Sequence, residues 1–205
     1  LSAVSHAWSM TDTLSQRKSI NIDEIVITGS RSETDSRRLP STISVINRGI
    51  IEGSYESSLL PTLSSQVPGL FITSRGILGY GVSTGAAGGM TLRGIGNSPT
   101  SGLLVLIDGH PQYMGLMGHP IADAYQSVLA EKVEVVRGPA SVLYGSNAMG
   151  GVINIVTRQA TEGSHTHARI GYGSFNTLTS EVTHQSKIKH FGSTVSAFYN
   201  RTDGH

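Results

Sequence analysis

The 205-residue sequence has the length of one domain or one and a half, and its composition excludes several classes of protein. Charged residues make up 14% of the chain and the formal net charge is +1, which excludes a highly charged disordered tail and a basic nucleic-acid binder. No cysteine is present, so disulfide frameworks and thiolate metal or redox sites are excluded. Glycine occurs 25 times without a Gly-x-y period, which indicates a β-rich chain with many turns rather than collagen.

The N-terminal part of the chain is polar apart from one short β-prone run. Residues 1–21 are interpreted as the remnant of a signal peptide, with cleavage after Ala7, followed by a flexible linker; an ordinary flexible N-terminus is the alternative for the first seven residues. Residues 29–39 are interpreted as a second linker. Between the linkers, Ile22–Thr28 reads IDEIVIT. This run is either the first strand of the domain or a strand that adds to the sheet of a partner.

Residues 40–160 have the pattern of a compact α+β domain. One helix is predicted over Ser57–Gln66, because three leucines share a face and Pro68 follows. Leu103–Ile107 is apolar on both faces and is predicted to be the central strand, ending in a turn at Asp108–Gly109. Further strands are predicted at Ser41–Ile46, Leu70–Thr73, Met90–Arg93, Val133–Val136 and Val152–Val156, and the six glycines within residues 76–89 predict a mobile loop.

Residues 165–205 show a different pattern, in which apolar and polar residues alternate over three segments of about ten residues. This alternation is typical of strands in a transmembrane β-barrel, and it equally fits a soluble antiparallel sheet with one wet face. The longest apolar run in the chain, Leu103–Ile107, has five residues, whereas a transmembrane helix needs about 20. No transmembrane helix is therefore predicted.

The segment Glu131–Thr157 reads EKVEVVRGPASVLYGSNAMGGVINIVT, and it closely resembles the end of the plug domain of TonB-dependent outer-membrane receptors. Three shorter stretches agree with that family in order and spacing: Ile22–Thr28 resembles a TonB box, and Thr91–Gly94 and Leu104–Gly109 resemble middle strands of the plug. The resemblance implies a mixed sheet with short helices, followed by the first strands of a transmembrane β-barrel. The residues after the plug suffice for about three strands, so the chain looks like a plug with the start of its barrel.

The resemblance also implies a location, partners and two sets of functional residues. The chain is expected in the outer membrane of a Gram-negative bacterium, with the plug inside the barrel, the barrel in contact with lipid and the N-terminus in the periplasm. The C-terminal domain of TonB is expected to pair with the TonB box, which comprises Asp23, Glu24, Ile25, Val26, Ile27 and Thr28. Arg93 and Arg137 each precede a glycine at a strand end. They are expected to form salt bridges with glutamates of the barrel and so latch the plug to the barrel strands, which we call the wall. The alternative is that they are ordinary surface arginines.

A group of side chains after the strand at Leu103–Ile107 is the candidate substrate site. It contains His110, Tyr113, Met114, Met117 and His119, all within ten residues. These residue types serve as axial ligands of haem, and His with Met also suits copper. A packed loop without a ligand is the alternative, and a siderophore, cobalamin or a glycan stays open as the small-molecule substrate.

The sequence has no motif for an enzyme: G-x-S-x-G, the P-loop and H-E-x-x-H are all missing. Neither a catalytic residue nor a resident cofactor or metal is expected, and no nucleic acid is expected as a partner. The sequence therefore favours energy-coupled import of a scarce nutrient, with haem or another iron complex among the candidates. A non-transporting outer-membrane adhesin or structural barrel is the alternative, and it would not need a TonB box.

Overall fold

The computed structural model describes residues 42–73, 89–96, 102–112 and 125–203. They form an α+β unit followed by three long strands. The strands are β1 Thr42–Asn47, β2 Leu70–Ile72, β3 Met90–Leu92, β4 Leu103–Ile107, β5 His110–Pro111, β6 Ala130–Arg137, β7 Gly151–Thr157, β8 Gly163–Gly173, β9 Thr177–Ile188 and β10 Phe191–Arg201. The helices are α1 Arg48–Gly53, α2 Leu59–Gln66 and α3 Ser141–Tyr144, with 3-10 turns at Ser127–Leu129 and Ser146–Ala148. Within these ranges, no helix is long and apolar enough to span a membrane.

A mixed five-stranded sheet organises the α+β unit, in the order β1-β6-β7-β4-β5. The pair β4–β7 is parallel and the other pairs are antiparallel. The expectation that Leu103–Ile107 is the central strand is wrong, because β7 occupies the middle and β4 lies between β7 and the two-residue β5. β4 is nevertheless apolar on both sides because both faces of the sheet are covered.

Two hydrophobic clusters cover the two faces of this sheet. The larger one packs α1, α2 and the β2–β3 hairpin against odd-numbered positions such as Val133, Val135 and Ile153. The smaller one packs the segment after β6, through Ala140, Ala148 and Tyr144, against even-numbered positions such as Leu104, Leu106 and Val152. Because side chains alternate along a strand, adjacent residues of β4 belong to different clusters. The sheet is therefore the middle layer of the unit.

Both helices at the start of the unit begin at residues with a capping side chain. The Ser58 Oγ accepts a hydrogen bond from the Leu60 N–H at 3.3 Å, and the predicted helix in this region is confirmed as α2. The Asn47 Oδ1 accepts from the Ile50 N–H at 3.2 Å and starts α1. Such caps satisfy donors that the first turn of a helix cannot pair internally. α1 was not predicted, because six residues are too few to show a helical period.

The three-stranded antiparallel sheet β8–β10, the C-terminal sheet, turns its apolar side outward. Ile170, Tyr172, Val195 and Tyr199 share the outer side and are each more than half exposed. The side facing the α+β unit is mainly polar, with Phe198 as an apolar residue on it. Thr183 is buried there and its Oγ1 lies 3.0 Å from the Ser196 Oγ. A soluble sheet would bury its apolar side, whereas strands in a membrane barrel present that side to lipid. The arrangement is that of barrel strands around an α+β plug.

Gly151, the first residue of β7, lies where two neighbouring chain segments approach the strand. A Cβ built on it would collide with the carbonyl oxygen of Val136 and would lie 2.7 Å from the Leu92 Cδ2. Its φ of +151° is also one that residues with a side chain rarely adopt. This position therefore requires glycine.

We expect Gly151→Ala to destabilise the β6–β7 pair by roughly 1 to 3 kcal/mol, because the new methyl group must displace backbone as well as a side chain. Hydrogen exchange of β6 and β7 should accelerate accordingly. Gly53→Ala is the matched control, since a Cβ at Gly53 meets nothing within 4 Å. Equal protection of β6 and β7 in both variants would contradict the prediction.

Candidate functional site

The predicted TonB box and most of the predicted substrate site lie outside the residues that the structure describes. Asp23–Thr28, the predicted TonB box, lies outside the described residues. So do Tyr113, Met114, Met117 and His119 of the predicted substrate site. His110 is described, on the exposed edge strand β5, so the structure does not test whether these five side chains converge.

The turn before His110 is bonded firmly to the end of β7. Asp108 and Gly109 have φ of +48° and +80°, the combination that a two-residue hairpin turn of type I′ requires. Asp108 accepts hydrogen bonds from the Thr157 N–H at 2.8 Å and from its Oγ1 at 2.6 Å. The Asn154 Oδ1 accepts from the Gly109 N–H at 3.2 Å. The predicted turn is confirmed, and it gives the segment beginning at His110 a rigid base.

From this turn the chain runs back along β4. His110 pairs with Ile107 in an antiparallel register, and the Gln112 N–H donates to the Val105 carbonyl at 2.8 Å. His110 therefore lies beside the turn at the Ile107 end of β4, on the side of β4 away from β7.

Arg93 directly follows β3 and Arg137 is the last residue of β6, and both strand ends lie near Gly151. Arg137 is paired in register with Gly151, and the Leu92 side chain reaches the same glycine. Arg93 is exposed, with a φ of +52°, and its backbone N–H donates to the Gly69 carbonyl at 2.8 Å. The Arg137 Nε is shielded from water and meets no acceptor among the described residues. Since a buried donor without an acceptor is costly, Arg137 is the member of the pair that most needs a partner.

Glu134, a buried carboxylate, lies on the face of β6 opposite to that of Arg137. The sequence did not single out this residue. Glu134 is 1% exposed and lies opposite Asn154 of β7. The Lys132 Nζ is 2.6 Å from its Oε1. The geometry of this ion pair is not that of a hydrogen bond. Among the described residues, neither carboxylate oxygen of Glu134 accepts a hydrogen bond. Burial, followed by the negative charge of Glu134, raises the pKa of the nearby Tyr144 hydroxyl.

A second cluster of charges connects the α+β unit to the C-terminal sheet. We call it the Glu52 junction; it comprises Arg48, Glu52, Arg158, Arg169 and Glu181. The Glu52 Oε1 accepts from the Arg48 Nε at 2.8 Å and from the Arg158 Nη2 at 3.0 Å. Arg169 of β8 donates to the Glu52 carbonyl at 3.2 Å and to the Glu181 Oε1 of β9 at 2.9 Å. One helix turn is thereby bonded to the connecting segment and to the C-terminal sheet.

The electrostatics of this junction favour an ionised Glu52. Partial burial raises the pKa of its carboxyl, but the hydrogen bond from Arg48 and the charges of Arg48, Arg158 and His167 outweigh burial and leave the pKa below its usual value. Arg48 also donates to the carbonyls of Ser127 and Ala130, both at 2.7 Å. Arg48 and Glu52 are four residues apart, and this spacing was the one sequence signal for the junction.

A polar cavity of about 550 Å³ separates the two parts of the chain beside this junction. Its lining comes from α1, β6, the end of β7, the connecting segment and β8–β9, and includes Glu52, Glu131, Arg158, His167 and Gln185. Charged and amide side chains of this kind hold water. Polar side chains therefore line this part of the contact between the α+β unit and the C-terminal sheet, and hydrogen bonds cross it beside the cavity.

Comparison with known proteins agrees with this architecture. Residues 35–152 match the family described as TonB-dependent Receptor Plug Domain. The vitamin B12 transporter BtuB of Vibrio vulnificus is 32% identical over 151 residues, which cover 74% of this chain and 23% of that protein. The chain therefore spans about a quarter of the length of this curated relative.

Two solved structures share the fold at low sequence identity. The siderophore receptor PiuA of Acinetobacter baumannii superposes with a TM-score of 0.68 at 19% identity, over 88% of this chain and 23% of that one. The ferric-catecholate import receptor Fiu of E. coli K12 superposes with a TM-score of 0.61 at 20% identity, over 82% of this chain and 22% of that one. The chain belongs to the TonB-dependent receptors of the Gram-negative outer membrane, in which an α+β plug sits inside a β-barrel.

Proposed function

We propose that this chain is the plug and the first wall strands of a transporter that imports a scarce nutrient, with TonB supplying the energy. The observation that carries the proposal is the polarity of the C-terminal sheet, which turns exposed apolar residues outward and a polar, bonded side toward the plug. A structural barrel would not need a plug held by polar contacts. The matched relatives are transport receptors for vitamin B12 and for ferric siderophores.

The ligand class we propose is an iron complex or cobalamin, and the residues beginning at His110 make haem a specific candidate. The support is chemical: two histidines, two methionines and a tyrosine follow a turn that is tied to β7. Nitrogen and sulfur donors suit a haem iron or a copper ion better than a hard cation. A transporter must also release its cargo, so a first-contact site is expected rather than a closed cage. Copper and glycan import stay as alternatives.

Coupling to TonB through Asp23–Thr28 is tested by one substitution. We expect Val26→Pro to abolish uptake by the full-length receptor while ligand binding at the cell surface persists, because proline removes a backbone donor from the added strand. Val26→Ala is the control, since it keeps the N–H group and should support uptake. The measurement is accumulation of labelled ligand in energised cells. Normal uptake by Val26→Pro would rule out this segment as the coupling strand.

The latch proposal concerns Arg137, and Arg93 beside it. If a wall carboxylate meets the shielded Arg137 guanidinium, Arg137→Ala leaves that carboxylate unpaired at a cost of roughly 3 to 5 kcal/mol. We expect faster hydrogen exchange at the end of β6 and leakage of small solutes, with a larger effect in the Arg93→Ala, Arg137→Ala double variant. Arg201→Ala is the control, because Arg201 is exposed and pairs only weakly with Asp203. An impermeable double variant with unchanged exchange would count against the latch.

The haem candidate is tested by titrating the full-length receptor with haemin and following the Soret band. We expect His110→Ala, His119→Ala to lose the spectral shift and growth on haem as sole iron source. His190→Ala, in the exposed turn between β9 and β10, should match wild type. Parallel titrations with cyanocobalamin and a ferric catecholate test the other two classes. The haem assignment is dropped if the double variant and wild type give the same spectrum and the same growth.

A further inference from the structure

The Glu52 junction lies where the plug is also covalently joined to the wall. Arg158 directly follows β7, and its backbone N–H donates to the Leu129 carbonyl at 2.9 Å. The next residue, Gln159, accepts a hydrogen bond at its carbonyl from the Gln185 Nε2 of β9 at 3.4 Å. β8 begins at Gly163. The peptide connection and the ionic connection between plug and wall therefore coincide.

The two ends of β6 differ in how completely their polar groups are paired. At the first end, the Ala130 carbonyl accepts from Arg48, which is itself bonded to Glu52. At the other end, the Arg137 Nε finds no acceptor among the described residues. Eight strand residues separate the ends by about 23 Å. Because β6 is paired with β1 and β7 along its length, a rotation of the sheet about the first end would carry the other end through the larger distance.

The bonds of the junction suit a pivot better than a rigid clamp. The wall meets α1 here through one long side chain, that of Arg169, which donates to the Glu52 carbonyl at 3.2 Å, and Arg158 of the connecting segment donates to the Glu52 Oε1 at 3.0 Å. The adjoining cavity of about 550 Å³ leaves room for such changes. Arg169 is also held by Glu181, whose side chain is 9% exposed, so the wall side of the pivot is fixed. Close apolar packing would not allow the same rotation.

We propose that the Glu52 junction is the fixed hinge of the plug, which stays closed during transport while the Arg137 end of β6 moves away from the wall. This inference rests on the proposed transport function. It assigns a permanent attachment to the Glu52 junction beside the connecting segment, and it assigns the opening contact to the proposed Arg137 latch at the far end.

A reversible chemical bridge across the hinge tests the inference, because this chain has no cysteine of its own. Glu52→Cys and Arg169→Cys are introduced together into the full-length receptor and joined by a thiol reagent about as long as an arginine side chain. Without the bridge, we expect small-solute leakage to rise several-fold, since the junction is lost. With the bridge, leakage should return to the wild-type level and uptake of cyanocobalamin or a ferric catecholate should stay within twofold of wild type.

The matched control is a bridge inside the wall, with Thr183→Cys and Ser196→Cys, whose hydroxyls face each other on β9 and β10. It should change neither leakage nor uptake. The hinge is contradicted if bridging at positions 52 and 169 lowers uptake tenfold or more and a reductant restores it, since the junction must then open. It is equally contradicted if the unbridged pair leaks no more than wild type.

Failure of the proposed function gives a different result. Wild type and Val26→Pro would then show the same uptake of every ligand offered. The leakage measurement does not depend on ligand or on TonB. Even if the transport function fails, the leakage measurement decides whether the Glu52 junction attaches the plug to the wall.

Discussion

The polarity of the C-terminal sheet is the constraint on which the other contacts depend. Most of its apolar residues, among them Ile170 and Tyr172, point away from the plug, and Phe198 beside Glu181 is an apolar residue on the inner side. Charges and hydrogen bonds join the plug to this sheet, among them the bond from Arg169 to the Glu52 carbonyl. Each such bond is worth little when exposed to water, so the seating of the plug depends on several of them together.

Local structure in the plug followed from the sequence, whereas its topology did not. The strands at β1 and β4, the helix α2 and the Asp108–Gly109 turn were all predicted from periodicity and turn residues. The central position predicted for β4 was wrong for a physical reason. Apolar residues on both faces of a strand indicate that both faces of the sheet are covered, and they do not indicate that the strand lies in the middle of the sheet. The parallel pairing of β4 with β7 joins residues about fifty positions apart, and no local pattern encodes it.

The candidate site was predictable to a smaller degree. Arg137 was identified through resemblance, and the structure gives it a shielded Nε that needs an acceptor. The Glu52 junction was missed because its partners are distant in sequence: Arg158 and Arg169 lie 106 and 117 positions beyond Glu52. Only the spacing of Arg48 and Glu52 was visible. Buried Glu134 gave no signal, because a single glutamate in an alternating strand is usually on its wet face.

The short turn between β8 and β9 limits the height of the wall on this side. Phe175 and Asn176 have positive φ, and the turn is bonded to the end of β10 through Asn176 Nδ2 and Asp203 Oδ2 at 2.8 Å. β8 ends at Gly173, about 13 Å beyond Arg169 along the strand, and the turn follows there. No spare loop exists there to fold over the plug. An inserted epitope or affinity tag would have to break the bond to Asp203, so this corner of the rim is a poor place to add one.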